Sequence, residues 1–420
     1  MNKYDVIIVG GGASGMFSAL VIKRYRPDLK VAVIEQLPRV GKKLIVTGNG
    51  RCNISNTDLS INRYHGENVA FAEYALNKFD YISTEKFFND FGLIFTVEEN
   101  GRAYPYSLQA SSVVDVLRFS LEERNIGVFS ETKLLYFEKN NNSFFLKTDN
   151  GRFECKKLIV AAGLYSGGKK IGSNGDVYEM LKNKGYKTVK TTPAIVQIKT
   201  DNKLTRSLKG IKVNADAALL INGKSVKKEY GEVLFCDYGL SGPPIMQLSR
   251  EVDRMQGDKK IILDLMPEYD FTKLYDIIKH RASIMQNRLL GEFFTGMLNK
   301  RLGQSVIKLC KLDCNSPILL KNSDIKAITS VVKRMEFKVT GTNGFENSQV
   351  TAGGLDTKQF NPKTMESYIH SGLYCIGEIL DIDGDCGGYN LQWAWSSGYC
   401  AATDICNKFD KKPVQKNDYK

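Results

Sequence analysis

The segment YDVIIVGGGASGMFSALVIKRY, followed a few residues later by VAVIE, restricts the fold of this chain more than any other stretch of its 420 residues. The apolar run at 4–9 does not alternate, which is the pattern of a strand buried on both faces of a parallel sheet. Glycines at 10–15 and a run with apolar residues at helical spacing follow, and a second buried run ends on Glu35. This is one complete βαβ unit with the spacing Gly10-x-Gly12-x-x-Gly15. Gly10 permits the tight turn, Gly12 lets the backbone approach a pyrophosphate, and Gly15 lets the helix lie close on the strand. The helix opening at Ala13 and Ser14 offers amide groups and a partial positive charge to phosphates. Glu35, with Gln36 beside it, is placed to hold ribose hydroxyls, and its carboxylate would repel a 2′-phosphate. A lone glycine fingerprint is weak, but strand, helix and acid together predict a bound dinucleotide. These residues alone do not separate FAD from NAD.

A hydrophobic content of 42% with 25% charged residues is that of a globular protein with room for two or three domains. No apolar run approaches the roughly 18–20 residues of a membrane span, and the strand-like N-terminus lacks the pattern of a secretory leader, so the expectation is a cytoplasmic protein that does not enter a membrane. The charge of +13 fits either an anionic partner or a lysine-rich solvated surface. Scattered lysine pairs, without a basic helix or nucleic-acid module, favour the second and predict no nucleic-acid partner. Nine cysteines without a C-x-x-C pair argue against a disulfide framework, and three distant histidines argue against a metal site.

Helical patterns are expected over 66–92 and 107–128, a hairpin around the NNN turn at 140–142, and a buried strand in KLIVAAG, which brings Ala162 and Gly163 to its end. From about residue 190 the segments alternate, with turns between them, as an antiparallel barrel or sandwich would; KTTPAIVQIKT is counted among them. Helical patterns return over 271–333, and glycine-rich text resumes near 350, ending in a helix after GDCGGYN. The resulting layout is an α/β protein with a Rossmann-like domain at 1–190 and 346–410, an inserted antiparallel β-rich domain at 191–270 and 334–345, a small helical domain at 271–333 and a tail at 411–420.

Several stretches go further: KKLIVTGNGRCNISN, GRAYPYS, GSNGDVYEML, DYGLSGPPIMQLSR, VTAGGLD and GEILDIDGDCGGYNLQWAWSSG. Together they resemble a bacterial family of FAD-dependent, NAD(P)-linked oxidoreductases that includes a bile-acid 3-dehydro Δ4,6-reductase and an aminoacetone oxidase. The resemblance implies FAD as cofactor, with Gly377 and Glu378 reaching back to it. It also implies that the loop Thr47, Gly48, Asn49, Gly50, Arg51, Cys52 and Asn53, preceded by Lys43, and the turn Asp385, Gly388, Tyr389, Asn390 and Leu391 both lie against the flavin.

Because flavin carries the hydride, such an enzyme works without a strong side-chain acid or base. No second βαβ fingerprint follows the first, so NAD(P)H is expected as a transient donor in an open crevice. The first reading is an NAD(P)H-dependent reductase of the C=C bond of a hydrophobic enone, a bile-acid-like or steroid-like small molecule. Oxidation of aminoacetone or another amine, a flavin-dependent tRNA-modifying enzyme, and a non-catalytic FAD sensor remain as alternatives. Candidate substrate residues are Arg102, Tyr104, Tyr106 and Tyr389, each of which can equally be structural. Cys52 sits where disulfide reductases carry the first of two cysteines, but Asn56 stands at the place of the second. The loop therefore reads as a cofactor cradle, with a Cys52–Cys386 pair as the one redox alternative.

Overall fold

Val6, Ile7, Ile8 and Val9 expose no more than 4% of their surface, because the strand that carries them, β1 (Asn2–Val9), has a parallel neighbour on each side. One is β2 (Val31–Ile34), with Val9 opposite Ile34; the other is Gly151–Val160, with Val9 opposite Val160. The computed structural model describes residues 1–98 and 100–409, without the side chain of Asn202. The sheet around β1 has seven strands. Gly127–Phe129 extends it beyond β2. On its far side Gly151–Val160 takes Ser143–Thr148 antiparallel at its start and Leu373–Cys375 parallel at its end. A helix, α1 (Ala13–Tyr25), begins where β1 ends, at the point where successive strands leave to opposite sides. Open parallel sheets bind ligands at such a switch point.

This sheet belongs to a unit made of Met1–Thr192 and the chain from Gln349 onward. Leu373–Cys375 and the final helix, Tyr389–Phe409, are thus contributed from beyond the inserted segment. The final helix packs on α1, with Phe17 and Trp395 ring centroids 5.4 Å apart and both side chains wholly buried. The helical text at 66–92 forms two helices, Ala70–Lys78 and Tyr81–Asn89, because Asp80 caps the second by accepting from the Ser83 amide at 2.8 Å. The helix expected over 107–128 is Ala110–Glu123, and the expected hairpin is Leu134–Asn140 with Ser143–Thr148.

The second unit, Pro193–Ser348, holds a closed six-stranded barrel. Its strands run in the order Ile198–Thr200, Gly239–Ser241, Lys224–Phe235, Lys212–Ile221, Lys259–Asp264 and Met335–Thr342, the last pairing with the first. Met335, Phe337 and Val339 point inward and Glu336 and Lys338 outward, the period of two that the sequence shows. Helices Phe271–Ile284, Lys300–Leu309 and Asn322–Lys333 lie between the last two barrel strands in the chain. One expectation needs correcting. Of KTTPAIVQIKT, only Ile198–Thr200 joins the barrel; Thr188–Ala194 pairs with Val350–Leu355 in a separate two-stranded sheet. The tail expected at 411–420 lies outside the described residues.

Candidate active site

The end of β1 and the start of α1 have the geometry that the glycine spacing requires. A Cβ on Gly15 would stand 1.9 Å from the Gly10 carbonyl oxygen, and one on Gly10, whose φ is +109°, would stand 2.4 Å from the Ala161 oxygen. A Cβ on Gly12 would meet nothing within 4 Å. The first two glycines are therefore packing requirements, and the third faces open space at a helix start that carries no side-chain cap. Uncapped amides of the first turn, around Ala13 and Ser14, suit a pyrophosphate.

Glu35 stands at the end of β2 and spends one oxygen on the Gly11 amide and the other on the Leu37 amide, each at 2.8 Å. Burial pushes its carboxyl up, and these two amides together with that of Gln36 oppose the shift. Each oxygen keeps a lone pair for a hydroxyl. The Gln36 side chain bonds the Gly172 carbonyl at 2.6 Å and the Asn174 amide at 3.3 Å. Across from α1, Glu378 is held by the Lys43 ammonium, the Ser166 hydroxyl and the Thr351 amide. A Cβ on Gly377 would come 2.9 Å from the Ser14 hydroxyl, so this turn is pressed against the first turn of α1. Ala162 and Gly163 lie between them: the Ala162 Cα is 2.9 Å from a Cβ built on Gly10, and a Cβ on Gly163 would be 3.9 Å from Glu378 Oε2.

The loop Thr47–Gly50 takes left-handed backbone at Gly48 and Asn49. The chain then runs directly beneath the GDCGGYN turn, where a Cβ on Gly388 would be 2.2 Å from the Ser55 oxygen and 2.8 Å from Asn53 Oδ1. Asn53 Oδ1 is buried and has no hydrogen-bond partner. An orphaned acceptor here, with open space before Gly12 and Gly50, fits a large planar ligand that has both N–H donors and phosphates.

The HI0933-like protein Rossmann domain family matches residues 4–404. The chain belongs to the HI0933-like family. A 3-dehydro-bile acid delta(4,6)-reductase from Clostridium scindens is 34% identical to it, over 96% of this chain and 98% of that protein. Ribosomal RNA dihydrouridine synthases from Haemophilus influenzae and Escherichia coli are each 29% identical, over 96% of this chain and 99% and 98% of theirs. Among solved structures, the 3-ketosteroid delta1-dehydrogenase of Sterolibacterium denitrificans shares the fold, with a TM-score of 0.50 and 13% identity over 97% of this chain and 100% of that one. The HI0933-like chain is a flavin-dependent oxidoreductase.

In this HI0933-like site FAD, which supplies the hydride chemistry when bound, would rest on Gly12 and the α1 amides, with Glu35 on its ribose and Asn53 accepting from its ring. Around the GDCGGYN turn stands a polar group, buried at Asp385 and open to solvent at Arg63, whose His65 and Arg63 sequence spacing did not find. Asp385 accepts from His65 Nε2 at 2.8 Å and has Arg63 Nη1 at 3.8 Å. Tyr389 is 5% exposed and packs edge-on against Tyr64, with centroids 5.8 Å apart. Burial raises its phenol pKa, Arg63 and Arg102 pull it down, and Asp58 and Asp385 push it up. Arg102 also approaches the turn itself, its Nε 3.6 Å from a Cβ built on Gly387. Tyr106 lies just past the strand Arg102–Pro105 with 73% of its surface in solvent, so it is not buried with Arg102 and Tyr389.

Other candidates have structural partners. Arg51 pairs with Glu98 at 2.9 Å and lies 4.4 Å over the Tyr104 ring. The Asn390 side chain closes the turn through the Gly384 amide and carbonyl, at 2.9 and 2.8 Å, and Leu391 packs against the core. Thr47 Oγ1 donates to the Leu44 carbonyl at 2.6 Å. Cys52 is wholly buried, and burial pushes its thiol up to about 12, with Thr47 pulling the other way. None of the nine cysteines, Cys386 included, is in a disulfide, and no three His, Cys, Asp or Glu side chains among the described residues gather to hold a metal. No described helix is long and apolar enough to cross a membrane.

Proposed function

We propose that this chain reduces a C=C bond conjugated to a carbonyl, and that the acceptor is a uracil ring in RNA. The observation that carries the reaction type is Tyr389, a buried phenol with the Arg63 and Arg102 guanidinium groups acting on it and the His65–Asp385 pair beside it. When hydride adds to the β-carbon of a conjugated carbonyl, negative charge grows on the carbonyl oxygen and a proton must reach the α-carbon. Guanidinium groups stabilise that oxygen. A phenol whose pKa is raised stays protonated at neutral pH and can donate the proton. Bound FAD would supply the hydride, taken from NADH or NADPH.

The names of the relatives agree on the bond. A delta(4,6)-reductase acting on a 3-dehydro bile acid, and a synthase that makes dihydrouridine from uridine, both saturate a C=C in conjugation with C=O. The charge of +13 favours the polyanionic substrate of the two. On this reading the lysines do more than solvate the surface, which departs from the expectation of no nucleic-acid partner. The second reading, a dehydro-bile acid or related enone, is favoured by the higher identity of that relative, 34% against 29%.

Anaerobic titration of the flavin-loaded protein with NADH and NADPH, followed by addition of a ribosomal RNA transcript or a 3-oxo-Δ4,6 bile acid, tests both. The expected result is reoxidation of the flavin by RNA with a gain of two mass units at a uridine. Reoxidation by the bile acid alone would replace the first reading with the second. Reoxidation by neither would overturn the reaction type.

A further inference from the structure

Residues 271–334 carry 12 Lys and Arg against four Asp and Glu, whereas the rest of the 193–348 unit carries 13 of each. More than half of the excess positive charge of the chain is therefore concentrated in the helical part of one unit. Two of the 12 are neutralised, Lys333 by Asp264 at 2.6 Å and Arg334 by Glu336 at 2.9 Å. Nine of the remaining ten are exposed. Such an imbalance costs stability through self-repulsion and is compensated when an anionic partner binds.

Two of these helices border an open cavity of about 440 Å³, lined by Phe271, Thr272 and Tyr275 of one and Asn322, Ser323 and Lys326 of the other. Phe271 keeps 40% of its surface exposed although its neighbour Leu274 is fully buried. Two aromatic rings, an amide, a hydroxyl and an ammonium group are the set that takes an unstacked nucleobase with its phosphate: rings stack on the base, Asn and Ser read its edge, and lysine meets the backbone.

We propose that the helical segment 271–334 is an RNA-docking surface whose cavity receives an unstacked base. This rests on the reading of RNA as substrate. Charge complementarity selects the partner: an acidic peptide would match the lysines but would not bring the nucleobase that Phe271 and Tyr275 can stack on.

The test measures binding of a labelled single-stranded RNA containing uridine to the flavin-loaded protein, across salt concentrations. Lys326 lines the cavity, Lys273 and Lys321 adjoin its lining residues Thr272 and Asn322 in the chain, and all three are exposed. Replacing all three with Glu should weaken binding and flatten the log–log salt dependence by about 2, since each lost phosphate contact removes about 0.7. Phe271→Ala should weaken binding about tenfold with the slope unchanged. Flavin absorbance and melting temperature should stay as in the parent for both variants, which separates lost docking from lost folding. If the parent binds and the triple variant binds equally with the same slope, the docking surface is wrong and the RNA reading stands. If the parent shows no salt-dependent binding, the RNA reading falls and takes the surface with it. Tighter binding of the parent to vesicles of anionic lipid than to RNA would also overturn the proposal.

Discussion

The Asn56 side chain donates to the Gly387 carbonyl at 2.9 Å, joining the strand after the TGNGRCN loop to the turn that opens the final helix, 331 residues away in the chain. Both groups are buried, so nothing in solvent can replace the bond. Asn56→Ala should leave the Gly387 carbonyl unsatisfied, at a cost of about 1–3 kcal/mol. The expected outcome is protein that purifies folded but with less flavin, read as the ratio of flavin to protein absorbance. Full flavin retention would show that the two loops do not depend on each other.

Gly12 and Gly15 should separate cofactor loss from misfolding. Gly12→Ala meets nothing in the protein itself and should fold with an unchanged far-ultraviolet circular dichroism spectrum while losing most of its FAD. Gly15→Ala would push a methyl against the Gly10 carbonyl and destabilise the unit by several kcal/mol, about the scale of an overpacked core site or more. A stable, flavin-free Gly15→Ala would contradict this packing.

Glu35 predicts a pH dependence with a definite sign. Burial raises its pKa in the folded protein, so between its unfolded and folded pKa values the folded state binds the extra proton. Stability then falls as pH rises through that window, and the loss persists above it. Glu35→Gln cannot titrate. In the flavin-free protein its melting temperature relative to the parent should increase from acidic to neutral pH; a difference that is flat or decreases would refute the assignment.

Cys52 should be chemically silent. A buried thiol held up to about 12 has almost no thiolate at pH 8. Native protein should leave Cys52 unlabelled by iodoacetamide at that pH, and Cys52→Ala should keep FAD and reduction by NAD(P)H. Labelling in the native state, or loss of reduction with FAD retained, would revive the redox reading.

The parts of the site that backbone geometry decides were legible in the sequence. Gly10 and Gly15 are fixed by steric contacts with each other and with the adjoining strand, and Gly12 by its place at the open helix start between them. The strands and the discontinuous layout follow from hydrophobic period and glycine placement. Polar partnerships were not legible, because a side chain chooses among groups that only the fold brings near. Arg51 turns to Glu98, Asn390 turns back on its own loop, and His65 finds Asp385 from 320 residues away. The family motifs marked the neighbourhood of Tyr389 but not Arg63 or His65. Within KTTPAIVQIKT the barrel is joined by Ile198–Thr200 and not by Thr188–Ala194, because an alternating pattern does not say which sheet a strand joins.

The order in which the site is completed follows from the placement of Leu373–Cys375 in the middle of the first sheet's connections. A chain emerging from the ribosome has all of β1, α1, β2 and Gly151–Val160 early, and then the whole of the 193–348 unit. Leu158–Val160 nevertheless lacks a partner on one side, and Lys43 lacks Glu378, until the last fifth of the protein is made. The barrel and its helices can mature during translation, whereas FAD has no finished cradle before Tyr389–Phe409 is released. Nascent chains truncated before residue 370 should therefore hold a folded insert and no flavin, and the cofactor becomes a reporter that translation has passed the Tyr389–Phe409 helix.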